Sequence, residues 1–253
     1  MPQARQLPMC TRAPRGVWAA ALAGAVVLTL SLRAAAAVAG GAVADAAPTM
    51  GSSALASSPG RLADFRDEPA SPEARRIAHW ALHSGDHAGM PYMIVDKVQA
   101  RVFMFDKHGQ LQGAGPALLG MERGDGTAPG VGDRKLSSIT PQERTTPAGR
   151  FVASLAPDLK GEQILWIDYG SALALHRVAK GTPVERRADR LQSETADDNR
   201  ISYGCINVAV PFFETVVSPA FTHSSGVVYI LPETRPAHEV FGSYDVEESR
   251  GGD

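Results

Sequence analysis

The spacing of apolar positions changes several times along the chain, and each change marks an element. Ser71-Pro72 offers an N-cap and a first-turn proline, and Ala74, Ile77, Ala78 and Ala81 then share one face. That pattern predicts a short amphipathic helix up to His83. From Pro91 the period shortens. Tyr92-Met93-Ile94-Val95 and Ala100 to Phe105 read as strands, and Lys107 to Gln110 supplies the turn before another strand-like run. Residues 120–145 are rich in glycine and polar residues and read as a long surface loop. Thr146-Pro147-Ala148-Gly149 is a turn, followed by expected strands at Arg150–Leu155, Gln163–Tyr169 and Ala172–Val178. Residues 179–200 are strongly charged, and Thr182-Pro183-Val184-Glu185 has the form of a helix-capping box, so a surface helical excursion is expected. A helix over about 210–218 and a buried strand from Gly226 to Leu231 complete the pattern. Many short strands, turn signals and few helices predict a mainly β domain of the β-sandwich or barrel-like kind, without internal repeats.

The flanks read differently. Met1 to Arg15 is polar with three arginines, and Gly16 to Leu32 is apolar except for Thr29 and Ser31. Small residues at Ala35–Ala37, Ala37–Ala39 and Ala42–Ala44 follow. This order predicts a secretory signal over residues 1–44, with an uncleaved N-terminal anchor as the alternative, since seventeen residues approach a membrane span. Either way the remainder is expected outside the cytoplasmic membrane, in the periplasm or cell envelope, with membrane contact only through the anchor if it is retained. Residues 45–70, rich in Ala, Ser, Pro and Gly, read as a flexible linker, 71–90 as a helical lead-in, 91–232 as the main domain and 233–253 as a loose polar tail.

Charge narrows the partners. The chain of 253 residues has a formal charge of −2, but residues 1–44 carry four arginines and no acid, so the rest carries −6. A mildly acidic body lacks the cationic face that phosphates require, which argues against nucleic acid as a partner. No sequence feature speaks to oligomeric state.

Two cysteines are present, Cys10 and Cys205. Removal of the signal would leave Cys205 alone, and a single cysteine in an exported chain is expected as an unpaired thiol, either buried for packing or used. Its surroundings are Arg200-Ile201-Ser202-Tyr203-Gly204-Cys205-Ile206-Asn207-Val208, and upstream Leu173-Ala174-Leu175-His176-Arg177 ends a strand-like run with an imidazole. Thiol catalysis needs a thiolate, a base to form it and donors for the oxyanion. His176 beside Cys205 would supply a thiolate–imidazolium pair. Gly204 allows close backbone approach, so the N–H groups of Gly204 and Cys205 are candidate oxyanion donors.

With those residues in view, the chain resembles the L,D-transpeptidases of bacterial cell-wall synthesis, with their YkuD-type catalytic domain. That family has an upstream histidine and then a Ser/Thr-His-Gly-Cys motif followed by an apolar residue and Asn or Arg. His176, Ser202, Gly204, Cys205, Ile206 and Asn207 match it. The strand pair near 92–105 and Thr146-Pro147-Ala148-Gly149-Arg150-Phe151 resemble the family's earlier strands and its Thr-Pro-x-Gly-x-Phe turn, so the resemblance spans about 90–232. Two departures stand out. Tyr203 occupies the place of the second histidine, and His176 and Cys205 lie 29 positions apart, farther than usual, with the charged segment 179–200 making up the excess. Loop length costs little free energy, so such an insertion need not move the strand ends.

The resemblance implies a transferase of peptidoglycan biosynthesis and cell-wall biogenesis. Cys205 would be the nucleophile toward peptidoglycan peptide stems and His176 the base, with backbone N–H groups at Tyr203, Gly204 and Cys205 as the oxyanion hole. It implies a thioester on a tetrapeptide stem, resolved by an amine into a 3-3 cross-link or an exchanged terminal D-amino acid. Ser202 and Asn207 would brace the turn or orient substrate, and Arg177 and Arg200 are further candidates to bind or orient it. No metal or organic cofactor is implied. Two alternatives stay open: a cell-wall peptidase using water as acceptor, and a non-catalytic wall-binding module.

Other features yield less. His79, His83 and His87 recur at four-residue spacing near Asp86, but Gly85 and Gly89 interrupt the helix and no H-E-x-x-H pattern is present, so a polar helix face is favoured over a metal site. The glycines of 120–132 lack the Gly-Lys-Ser/Thr ending of a phosphate loop. Arg123-Gly124-Asp125 reads as coincidence. Trp166 and Tyr169 read as core and rim rather than as a sugar platform, and segment 179–200 as a solvated helix rather than as a lid.

Overall fold

The computed structural model describes residues 61–250, so the expected signal or anchor and residues 45–60 of the expected linker lie outside the described residues. The lead-in helix α1 (Pro72–Ser84) starts where its cap predicts: Ser71 Oγ accepts from the backbone N–H of Ala74 at 3.1 Å and donates to Asp96 at 2.6 Å. It stops at Gly85, whose φ of 71° is left-handed.

Nine strands follow: β1 (Tyr92–Asp96), β2 (Arg101–Phe105), β3 (Leu111–Gly120), β4 (Gly149–Pro157), β5 (Gln163–Asp168), β6 (Leu173–Arg177), β7 (Arg200–Ser202), β8 (Ile206–Val208) and β9 (Gly226–Ile230). Their order is β2-β1-β9-β4-β5-β6-β8-β3-β7, and β2 also pairs with β3. Eight strands therefore run in a ring, with short β7 attached to the end of β3. The domain is mainly β and barrel-like, with few helices.

The apolar runs explain the ring. Met93 and Val95, Val102 and Met104, Leu165 and Ile167, Leu173 and Leu175, Ile206 and Val208, and Val228 and Ile230 all face one buried core. The alternate positions Tyr92, Ile94, Phe103, Phe105, Val227 and Tyr229 face a second core beneath α1. β1, β2 and β9 are buried on both faces, and so read as continuous hydrophobic runs rather than as alternating ones. The helical run after β8 consists of α3 (Val210–Phe212), a π turn at Phe213–Val217 and α4 (Ser218–Phe221). It sends Phe213, Val217 and Phe221 into the first core.

Two expectations need correction. The tail after 233 is not loose. α5 (Ala237–Phe241) and α6 (Val246–Arg250) dock on the second core, with Phe241 packed against Tyr229 and Trp80. The end of the expected linker is docked as well: Ala63 and Phe65 are buried and Asp64 bridges to Gln110. Both segments carry isolated apolar anchors that complete a core built elsewhere, so local periodicity does not reveal them.

A buried ionic cluster ties distant loops together. The Lys97 side chain is fully buried, and its Nζ donates to Asp125 (2.8 Å), Gly124 O (2.6 Å) and Thr146 O (3.0 Å). Glu233 lies 3.5 Å from Lys97 and accepts from Arg200 at 2.6 Å. Burial works against ionisation of Asp125, but hydrogen bonds from Lys97, Thr234 and the backbone N–H groups of Glu233 and Thr234 prevail and hold its carboxyl well below the usual range. Its stabilising contribution is therefore present above the ordinary carboxylate pKa and fades as pH falls toward the depressed native value. Lys97→Met strands these carboxylates and should cost about 3–5 kcal/mol at neutral pH. Urea denaturation at several pH values should show the gap to wild type narrowing as the medium is acidified.

Candidate active site

β6 and β8 run side by side in parallel, with Leu175 opposite Ile206, His176 opposite Asn207 and Arg177 opposite Val208. Leu175, Ile206 and Val208 face the first core, so His176 and Asn207 project from the other face of the sheet. Cys205, two residues before Asn207, shares that face, where it packs near Trp166 and Ala174. His176, Asn207 and Cys205 all open into one cleft of about 370 Å³, walled by the 127–147 loop, the start of β6 and Arg187.

The turn before Cys205 is stapled by polar contacts. Ser202 Oγ donates to Cys205 O (2.6 Å) and accepts from Gly204 N–H (3.1 Å), while Asn207 Nδ2 also donates to Cys205 O (3.2 Å). Gly204 has φ 126°, and a Cβ there would sit 2.7 Å from Thr145 O, so no other residue fits. Behind the turn, buried Thr146 donates to Gly204 O (2.7 Å) and accepts from Gly120 N–H (2.8 Å). Because Thr146 O also accepts from Lys97, the ionic cluster and the cysteine turn share one anchor.

The imidazole is half-buried. His176 Nδ1 lies 2.8 Å from Arg177 O and Nε2 lies 3.5 Å from Asn207 Nδ2. Burial is the main cause that pushes its pKa below the ordinary histidine value. The Arg177 carbonyl opposes that shift and the charge of Arg187 adds to it. A lowered histidine pKa means that the unfolded chain binds more protons, so this group's contribution to stability is lost as pH falls below the ordinary value.

The other residues expected at the site divide into two groups. Ser202, Tyr203, Gly204 and Asn207 line the cleft with Cys205 and His176. Tyr203, in the place of a second histidine, lies under the Arg144 guanidinium at 3.9 Å, a cation–π contact. Gly204 N–H is already engaged by Ser202, which leaves Tyr203 and Cys205 as the oxyanion candidates. Arg177 and Arg200 are not on the cleft. Arg177 sits over the Phe213 ring and pairs with Glu214, and Arg200 is buried in the Glu233 cluster. Both are turned away because their strand positions alternate toward the opposite face or the far loop.

Cys205 is disulfide-bonded in the full chain, whereas the expectation of an unpaired thiol concerned the chain after removal of residues 1–44; Cys10 lies outside the described residues. Its Sγ is 3.6 Å from Ala172 O. No group of three or more metal-ligating side chains occurs among the described residues. The imidazoles of the lead-in are separately occupied and do not form the expected polar face: His79 is buried and accepts from Ala63 N–H, His83 meets Tyr244, and His87 bridges Ala81 O and Lys107 O. Trp166 is buried and Tyr169 is stacked on it at the rim. Thr146 and Arg187 are the site residues that sequence reasoning missed. Arg187 had a faint signal in the adjacent capping box, where Glu185 accepts from both Thr182 N–H and Arg187.

No protein-family model and no curated protein matches the chain. Among solved structures it is similar to an LD transpeptidase in complex with imipenem (13% identity, TM-score 0.32, covering 56% of this chain and 58% of that one). An L,D-transpeptidase from Mycobacterium smegmatis matches at 13% identity and TM-score 0.32, over 55% and 58% of the two chains. The catalytic domain of the E. faecium L,D-transpeptidase matches at 15% identity and TM-score 0.28, over 56% and 96%. The chain thus spans less than two thirds of the length of the first two. Among the described residues, no helix is long and apolar enough to cross a membrane.

Replacing Thr146 with valine keeps the shape but leaves Gly204 O and Gly120 N–H without their partner. Thr146→Val should lower stability by about 1–3 kcal/mol, seen as a lower urea midpoint at unchanged slope.

Proposed function

We propose that the chain is a cysteine-dependent L,D-transpeptidase that acts on peptidoglycan tetrapeptide stems in the cell envelope. The observation that carries this reading is the shared face: β6 and the turn that leads into its parallel neighbour β8 present His176 and Cys205 to one cleft, on the side of the sheet away from the core. The cleft volume of about 370 Å³ suits a small peptide stem rather than a macromolecule.

The reaction starts from the thiol that a dithiol reductant releases at Cys205. His176 Nε2 takes the thiol proton as Sγ attacks the carbonyl following the L-centre of meso-diaminopimelate. The oxyanion so formed faces the N–H groups of Tyr203 and Cys205. Collapse of the tetrahedral intermediate breaks the amide bond, and D-alanine departs with the proton returned by His176. The remaining thioester is attacked by an amine, a second diaminopimelate side chain or a free amino acid. That amine loses its proton to His176, and the thiol is regenerated as the new amide forms. Water in place of the amine would give net hydrolysis.

Incubating the reduced full chain with tetrapeptide-containing muropeptides, followed by mass spectrometry, tests the reading. Loss of D-alanine, a thioester adduct on the protein and an amine-dependent product are expected. Cys205→Ala should abolish the adduct, and His176→Ala should slow turnover by about 10²–10⁴-fold. An adduct that persists in Cys205→Ala would refute the assignment, and release of free tripeptide regardless of added amine would make the protein a peptidase.

A further inference from the structure

The charged segment 179–200 does not lie idle on the surface. It contains α2 (Arg187–Arg190), and the Arg187 side chain turns inward, with only 6% of it exposed. Arg187 Nε donates to Glu185 at 2.9 Å and Nη1 donates to Asn207 Oδ1 at 3.0 Å. Glu185 is in turn held by Thr182 N–H at 3.1 Å, within the capping box. The guanidinium is thus pinned from outside and touches the site from above.

Hydrogen-bond chemistry then propagates inward. A guanidinium offers donors only, so the Asn207 atom facing it must be the amide oxygen. The amide NH₂ is therefore directed to Cys205 O and to His176 Nε2. Since NH₂ donates, Nε2 must present its lone pair. On the other side of the ring, Arg177 O can only accept, so Nδ1 carries the proton. An imidazolium would instead point an N–H at the Asn207 NH₂, two donors without an acceptor, close to a fixed positive charge.

We propose that Arg187 is a positioning residue of this site: by clamping the Asn207 amide it holds His176 as the neutral Nδ1–H tautomer, with the Nε2 lone pair facing the Asn207 NH₂. That this lone pair serves as the base for Cys205 rests on the transpeptidase reading; the clamp itself does not. The groups facing the ring are Arg187 from the insertion, uncharged Asn207 and Cys205 from β8 and the turn before it, the Arg177 carbonyl from β6, and Asp158 and Glu162 from the β4–β5 turn. Burial first and then Arg187 favour the neutral ring, the hydrogen bond to the Arg177 carbonyl and the two carboxylates oppose them, and the balance falls on the neutral side.

The test is long-range ¹H–¹⁵N spectroscopy of the histidine-labelled full chain, titrated with pH. In the wild type, Nε2 of His176 should show the shift of an unprotonated ring nitrogen and Nδ1 that of a protonated one, with a midpoint below the ordinary value. Arg187→Met removes the cation and frees the amide to turn its oxygen toward Nε2–H, so the midpoint should move up. Arg187→Lys, also a donor-only cation, should restore the wild-type pattern. If the methionine variant does not fold, Arg187→Gln takes its place with the same upward shift expected. A wild-type ring protonated at Nε2 in its neutral state, or a midpoint unmoved by the loss of Arg187, would overturn the proposal. None of these readings requires turnover. An intact tautomer in a protein that forms no thioester would therefore refute the function and leave the clamp standing, and the reverse pattern would do the opposite.

Discussion

The register of β6 against β8 is the constraint on which the site depends. Side chains alternate along a strand, so once Leu173, Leu175, Ile206 and Val208 enter the core, His176 and Asn207 have no choice of face. A slip of one residue would expose those four side chains and bury the polar pair. Each such exposure costs about 1.5–3 kcal/mol, which is large beside the marginal stability of a folded domain. The face on which the imidazole and the sulfur sit is therefore set by hydrocarbon packing rather than by their own polar contacts.

The fine placement is polar. The 202–205 turn is held by Ser202 and Asn207 in front and by Thr146 behind, and Thr146 is fastened in turn to the buried Lys97 cluster. One ordinary hydrogen bond contributes only about 1 kcal/mol net, too little to define a catalytic geometry. Leaving the same groups buried without partners costs more, so the turn is rigid because every alternative strands a donor or acceptor. Glu233 and Arg200 belong to this support. An arginine two residues before the turn thus acts on the loop behind it and not on a ligand.

The sequence made legible what periodicity governs: α1 with its cap and glycine stop, the doubly buried strands, the capping box and the order of histidine and cysteine strands. It did not reveal segments whose apolar residues are too sparse to show a period. Phe65 and Phe241 each dock singly on a core assembled by other elements. Nor did it show partners set by three-dimensional closure. Arg177 and Arg200 looked like ligand-binding cations beside the site, yet strand alternation and the Glu233 cluster direct both elsewhere. Arg187, eighteen residues before Cys205 in a segment that reads as a solvated helix, is the one that reaches the cleft. A charged side chain's direction depends on the path of its loop, and hydropathy does not encode that path.

The insertion alters the chemistry expected of the cysteine and histidine. Lengthening a loop is cheap, about 0.6 kcal/mol per doubling, whereas a hydrogen bond to a charged group contributes about 1.5–3 kcal/mol. The contact of Arg187 with Asn207 therefore outweighs the cost of the longer loop and favours the docked segment, while Glu185 fixes the guanidinium from within the segment. A docked guanidinium disfavours a second positive charge on His176, so a preformed thiolate–imidazolium pair is not the resting arrangement that this site supports. On the proposed transpeptidase reading, the neutral ring would have to exchange the contact of Nε2 with Asn207 Nδ2 for the sulfur's proton, and that proton would leave sulfur only as the substrate's carbonyl begins to accept the sulfur's electrons. A protonated His176 ring would need Asn207 to turn its amide over, and Arg187 holds the oxygen that would have to move.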